Sequence, residues 1–388
     1  MILAKIIRKK ALEVKGRFKE NSVDNLIWLV NFVPSLAGFS LYKEKVSLLD
    51  TPYWIIHIFL LIYVYGVGNL EYQIYHAQGA GEFIKSYVNI SLLIFIANST
   101  YWFLNHRPIL YSVLKKIKLN DEWAQTSPAC RKKHNKLMGN IKIILMIFYG
   151  CNYLNASFIY LPHRVDVNNE FSMTPCVGLE PLSESPNREV CLTILCFQEL
   201  SIMTVVLNFQ ALLCFLIDHT AAMYLIMSEE MLALNSPDVD NEYVKKKLPS
   251  IIKRHVLTLE TVDSLKRLYS VPIGINFGSN AVCISLFFYL PLEQWLGFIP
   301  ILVYCFLVFF LYCFLCQRLI NAAEVFENSI YACGWESFAV QERKAVYVML
   351  LLSQKKVEIL AADIVPVNIY TFATTLQAMF KFVTVVKF

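Results

Sequence analysis

The seven histidines stand at positions 57, 76, 106, 134, 163, 219 and 255. None falls in an HExxH pair, and the cysteines, mostly inside apolar runs, belong to no four-ligand Cys/His set of the kind that holds zinc. No catalytic residue, metal ligand or cofactor is expected. The polar chemistry lies instead inside apolar runs. Glu199 is one case, because an ionisable group there is a functional candidate. It could bond a ligand hydroxyl, or pair with Gln198 or a neighbouring tyrosine. Cys176 and Cys191 flank a proline-broken segment; they could form a disulfide, or Cys191 could be buried with Cys176 free. Near the C-terminus, Thr371, Thr374, Ala378, Lys381, Val385 and Phe388 recur at i, i+3, i+4 spacing and share one helical face, with Thr384 beside it.

Positioning such groups requires elements that lie in lipid. The 388 residues are 56% hydrophobic and 17% charged, and mean hydropathy is +0.48. Soluble domains are about 45–50% apolar and about 25% charged, so the excess has no aqueous surface to cover it. Spans are expected near 53–75, 84–105, 139–162, 190–217, 271–291, 296–317 and 364–386, each long enough for a core needing roughly 20 helical residues. A further run, Leu26 to Leu41, is short and interrupted by Asn31, Pro34 and Gly38.

Charge placement sets the orientation. Segments 1–25, 106–137, 229–265 and 318–356 hold 25 of the 35 Lys and Arg residues, whereas 76–84, 163–190 and 291–295 hold only Arg164 and Arg188. Positive loops stay cytoplasmic. The expectation is an all-α membrane protein with seven transmembrane helices, N-terminus cytoplasmic and C-terminus extracellular, inverted relative to G-protein-coupled receptors. The chain then divides into a basic N-terminus (1–25), a re-entrant or interfacial segment (26–48), helices one to six (49–317), a cytoplasmic anchor region (318–363) and helix seven (364–388). An acidic outer loop (163–190) and a cytoplasmic loop (229–265) interrupt the six helices. Ala345 to Ala362 reads as a cytoplasmic amphipathic helix. The polar face of the last span either lines a water-filled path with an apolar constriction at Val385 or packs against another helix. A path would need several subunits around an axis. The net charge of +5 is too mild to suggest nucleic acid.

The C-terminal residues also carry a resemblance. Leu352-Ser353-Gln354-Lys355-Lys356 and the stretch from Leu360-Ala361-Ala362-Asp363 through Pro366-Val367-Asn368 to Phe372 resemble the C-terminal signature of insect odorant receptors. Met379 to Lys387 is similar to that family's ending, and Tyr331-Ala332-Cys333-Gly334-Trp335 to its stretch before the last helix. The chain lacks the long insertion of the shared co-receptor between spans four and five, and so resembles a ligand-tuning subunit.

The resemblance implies an odorant-gated, nonselective cation channel in the plasma membrane of a sensory neuron. The tuning subunit assembles with co-receptor subunits into a tetramer, and the last helices line the pore. It puts Val385 at the hydrophobic gate. Lys381 departs from the family's small polar residue there, which argues against a functional homotetramer. A small volatile apolar ligand is implied in the outer half of the bundle. The expected lining is Phe83, Tyr87, Ile90 and Ser91 in span two, and Tyr153, Ser157 and Tyr160 in span three. Span four adds Phe197, Glu199, Ser201 and Ile202, and span five adds Phe288. The alternatives are a gustatory-type channel forming homomers, or a metabotropic or transporter-like membrane protein. The transporter lacks support from repeated halves, and the metabotropic reading is opposed by the charge-derived orientation.

Overall fold

The chain folds almost entirely into helices in the computed structural model, which describes residues 16–17, 19–43, 52–75, 80–125, 128–155, 157, 176–181, 184–288 and 292–387. α1 (Val23–Leu36) precedes α2 (Pro52–Leu61), which runs through a π-helical stretch, Ile62–Gly68, into α3 (Asn69–Tyr75). Then come α4 (Ala80–Asn105), α5 (Arg107–Gln125), α6 (Pro128–Asn155), α7 (Asn187–Ala233), α8 (Asn241–Phe287) and α9 (Leu292–Tyr331). A 3-10 turn at Trp335–Ser337 leads to α10 (Val340–Ser353). A two-stranded antiparallel ladder, β1 (Leu360–Ala361) and β2 (Val365–Pro366), precedes the last helix, α11 (Ile369–Lys387).

Apart from residues 364–368, the described parts of the expected spans fall in or at the ends of these helices, and several helices overrun them. α7 has 47 residues, about 70 Å at 1.5 Å per residue and over twice a hydrocarbon core. An apolar run marks only where lipid contact is possible; the helix continues as an amphipathic element beyond it. By length and composition, four stretches among the described residues can cross a membrane: Pro52–Glu71, Cys130–Asn155, Asn187–Ala233 and Leu302–Ser337. The other expected spans lie in α4, α8 and α11. α1 has 14 residues, about 21 Å.

The region before the last helix departs from expectation. The helix expected over Ala345–Ala362 occupies Val340–Ser353 instead, and α11 starts at Ile369 rather than 364. Residues 360–366 form the ladder because Ala362 and Asp363 adopt positive φ (52° and 58°), which ends any helix and turns the chain back.

α7 is the axis. From Val205 to Tyr224 every residue is buried, Asn208, Gln210, Asp218 and His219 included. It contacts α9, α6, α8, α1 and α4. α4 docks on α8 through a gap that proline creates. Pro272 has no N–H, so the Leu268 carbonyl loses its helical donor, and Trp102 Nε1 supplies one at 2.8 Å. Asn98 Nδ2 donates to the Pro272 carbonyl at 3.2 Å. α1 is capped by Ser22, and the chain after it is pinned by Arg107, which donates to the carbonyls of Ser40 (2.7 Å) and Phe39 (2.8 Å).

Candidate ligand site and pore helix

One end of the bundle is apolar and stapled. A disulfide joins Cys176 to Cys191, whose Cα atoms lie 5.8 Å apart, and ties the preceding loop to the first turns of α7. Tyr63 OH donates to the Val177 carbonyl at 2.8 Å. Leu61, Val64, Phe95, Ile96, Leu195 and Val206 pack around the two cysteines, with Ile202 and Tyr304 against them.

Below this cluster lies a polar network that joins three helices. His57 Nε2 is 3.0 Å from Thr100 Oγ1, and His57 Nδ1 is 2.7 Å from Ser201 Oγ. The Thr100 hydroxyl already donates to the Ile96 carbonyl at 2.8 Å. Its oxygen must therefore accept from His57, which places the imidazole proton on Nε2 and makes Nδ1 the acceptor for Ser201. Tyr53 OH donates to the Ser201 carbonyl at 3.0 Å and its ring stacks on His57 at 5.9 Å. A neutral imidazole so satisfied is tolerable away from water. It also commits the Ser201 hydroxyl proton within the protein.

The expected pocket residues are divided among several faces. Glu199 is 1% exposed and has a partner in the fold. Ser91 is buried, and its carbonyl accepts from Ser279 Oγ at 2.8 Å. Tyr153 is half-buried and stacks on Tyr149 at 5.9 Å; the Tyr149 hydroxyl donates to Asn208 Oδ1 at 2.8 Å. Ile90, Ile202 and Phe288 are also half-buried. Phe197 is 64% exposed, on the side of α7 away from the buried Gln198. With Leu192, Thr193, Cys196 and Leu200 it lines an open groove of about 390 Å³. Tyr87 and Ser157 are exposed as well. Tyr160 lies outside the described residues, as does the side chain of Phe83. Sequence reasoning passed over His57, Tyr53 and Thr100. The available signal was a lone histidine within the 53–75 run, which deserved the weight given to Glu199.

Among the described side chains, the first half of α11 carries most of its contacts with the bundle. Thr371 is 6% exposed, its hydroxyl bonded to the Pro366 carbonyl, and Met379 is 6% exposed. Phe372 packs on Phe309 and Phe310 with ring centroids at 5.1 and 5.5 Å. Beyond Met379, Phe380, Lys381, Phe382 and Val385 are all exposed, Val385 at 76%. Of the expected face, Thr371 is thus buried, Thr374 and Thr384 are half-buried, and Ala378, Lys381 and Val385 are open; Phe388 lies outside the described residues.

The opposite end is charged and closed. The Asp121 carboxylate bonds His134 Nε2 and lies 3.8 Å from His219 Nε2. Burial pushes the Asp121 pKa up, but the hydrogen bond from His134 and the nearby His219 imidazole prevail and hold it well below the usual carboxylate range. Asp218 pairs with Arg318 at 2.9 Å. Arg254 bonds Glu230 and donates to Asn120 Oδ1 at 3.2 Å. Asp218 and His219 are buried, and Lys142, half-buried, donates to Asn21 Oδ1 at 2.6 Å. His255, wedged between Tyr224 and Phe326, has its pKa lowered by burial to about 4.

A sequence model of the family described as 7tm Odorant receptor matches residues 80–380, well over half of the chain. The chain belongs to this odorant receptor family. Its relatives include Odorant receptor 67a of Drosophila melanogaster, 26% identical over 160 residues, which are 40% of this chain and 39% of that protein. Odorant receptor 22b of the same organism is 22% identical over 153 residues, 38% of each. The chain spans about two fifths of the length of these relatives. The fold is that of the insect olfactory receptor OR5 from Machilis hrabei, with TM-score 0.70 and 16% identity over 92% of this chain and 96% of that one. The same receptor in complex with eugenol gives TM-score 0.68 and 15% identity over 94% of this chain and 96% of that one. That family is one of multi-pass odorant receptors, in keeping with the four stretches of the described residues that can cross a membrane.

Proposed function

We propose that the chain is the odorant-binding subunit of a ligand-gated, nonselective cation channel. It assembles with co-receptor subunits into a heterotetramer in the plasma membrane of a sensory neuron. The observation that carries this is the second half of α11. A helix with Phe380, Phe382 and Val385 exposed beside Lys381 has an apolar and a charged surface that its own chain leaves uncovered. Neighbouring subunits around an axis would cover the apolar part and leave Val385 at a constriction that gates by dewetting. Four copies of Lys381 around one axis would repel permeant cations, which favours co-receptor subunits supplying most of the ring.

The partition of cations supports a cytoplasmic N-terminus and an extracellular C-terminus. The stapled end then faces outward, and α1, too short to cross, lies in the inner interface. The ligand is a small volatile apolar molecule, taken up near the outer half of α4, α6, α7 and α8. The likeness to a receptor solved with eugenol supports that chemical class. Binding favours the state with α11 displaced outward, by as much as the ligand's affinity differs between the two states. The test is coexpression with the co-receptor and recording across an odorant panel, each subunit alone as control. Val385→Ala should raise leak current or alter permeation. Unchanged gating and permeation would remove Val385 from the pore. A C-terminal epitope should be stained on intact cells, and staining only after permeabilisation would overturn the orientation.

A further inference from the structure

The joint between the bundle and α11 is held in an unusual way. Ala362 and Asp363 are consecutive residues at φ 52° and 58°, and Ile364 N donates to the Ala361 carbonyl across them at 3.1 Å. That is the geometry of a type I′ turn, which ordinarily recruits Asn or Gly. Here α8 supplies the support. Ala362 N donates to the Ser270 carbonyl at 2.8 Å, and Asp363 N donates to Ser270 Oγ at 2.7 Å. The Ser270 hydroxyl donates in turn to the Asp363 carboxylate. One turn further along α8, Gly274 lies against the same residues. A Cβ there would sit 2.7 Å from both the Cβ and the backbone N of Ala362.

The other side of the turn is continuous with α11. Val367 N donates to the Ile359 carbonyl at 2.9 Å, closing the ladder. Asn368 Oδ1 accepts from Thr371 N at 2.8 Å and caps α11, while the Thr371 hydroxyl bonds the Pro366 carbonyl. Turn, ladder and first helical turn are thus joined by hydrogen bonds into one unit, which meets α8 at Ser270 and Gly274.

We propose that Ser270 and Gly274 form a socket for the Ala362–Asp363 turn, and that this joint couples displacement of α8 to displacement of the pore helix. Ser270 and Asp363 are positioning residues for gating. The gating half of this inference rests on the channel reading above; the socket itself does not.

The experiment therefore has two arms, both on the full chain. Peptide-resolved hydrogen exchange on the purified receptor follows amides 360–367. Ser270→Ala should speed their exchange roughly tenfold, the effect of losing one to two hydrogen bonds of ordinary net strength. Ser270→Thr, which keeps the hydroxyl, should restore protection. The second arm records coexpressed receptor and co-receptor against a panel of small phenols and esters beginning with eugenol. Every variant is tested with the panel compound most potent on the unmodified receptor. Ser270→Ala should shift the half-maximal concentration roughly fivefold and Asp363→Ala less, because the bond from the backbone N of residue 363 to Ser270 Oγ survives it; the double variant should go no further than Ser270→Ala alone, which already removes both bonds. Surface biotinylation separates a gating change from loss of protein, and Ser270→Thr again should recover. Unchanged exchange in Ser270→Ala would overturn the socket. Faster exchange with an unchanged concentration–response curve would overturn its part in gating. A receptor silent across the panel counts against the channel reading, while the exchange arm still decides the joint.

Discussion

The two ends of the bundle are stabilised by different means. At the charged end, Asp121 is paired with His134 and Glu230 with Arg254, contributed by α5, α6, α7 and α8. At the stapled end, aliphatic and aromatic side chains surround a disulfide, and the main polar network runs through His57. Burying charges is tolerable only with close, directional partners, so the charged end has few alternative arrangements. Apolar contacts are non-directional, so the stapled end can repack around a guest. Rigidity at one end and adaptability at the other suit a receptor that reads a ligand far from the support of its helices.

That contrast can be broken by substitution. The largest effect is expected from Glu230→Ala, which strands Arg254, 1% exposed, without its carboxylate. Removing one partner of a buried pair costs about 3–5 kcal/mol, readable as a large loss of thermal stability in detergent. A small loss would mean that water reaches this end. Cys191→Ser opens a loop of 15 residues, worth about 3 kcal/mol by chain entropy. Its effect should appear as faster hydrogen exchange confined to the stapled end; a change spread over both ends would erase the distinction.

His255 gives the charged end a pH signature. Its pKa falls to about 4 in the fold from the ordinary 6.5, so the unfolded chain takes up a proton first as pH drops. Stability from neutral His255 is complete above pH 6.5 and is lost as pH falls towards 4, about 2 kcal/mol between pH 7 and 5. His255→Phe should flatten that part of the stability–pH curve, and an unchanged slope would assign it elsewhere. The smallest effect belongs to Tyr149→Phe. It removes one donor to Asn208 and should cost about 1 kcal/mol, with less effect on unfolding than on odorant selectivity if Tyr153, stacked on it, contacts ligand.

Much of this contrast was legible in the residues, and some was not. The apolar runs gave the helices because burial of a continuous stretch is a local property. They did not give helix ends: Asn187–Ala233 continues far past its apolar run since α9 and α6 cover its polar tail. Glu199 was visible as an ionisable residue in a span, whereas His57 needed Ser201 and Thr100, 144 and 43 residues away. The expected helix over Ala345–Ala362 stops at Ser353, and its last expected residues enter a ladder whose turn, Ala362 and Asp363 in the left-handed region, is held by Ser270 on another helix.

The sequence alone determined that the chain enters a membrane, how its cations are partitioned and where its last helix turns polar, because composition and period act residue by residue. Only the tertiary structure decided which of those polar groups are spoken for. Hydrogen bonds are directional and short. Whether Ser201, Asp121 or Asp363 is free therefore depends on partners that chain distance does not reveal.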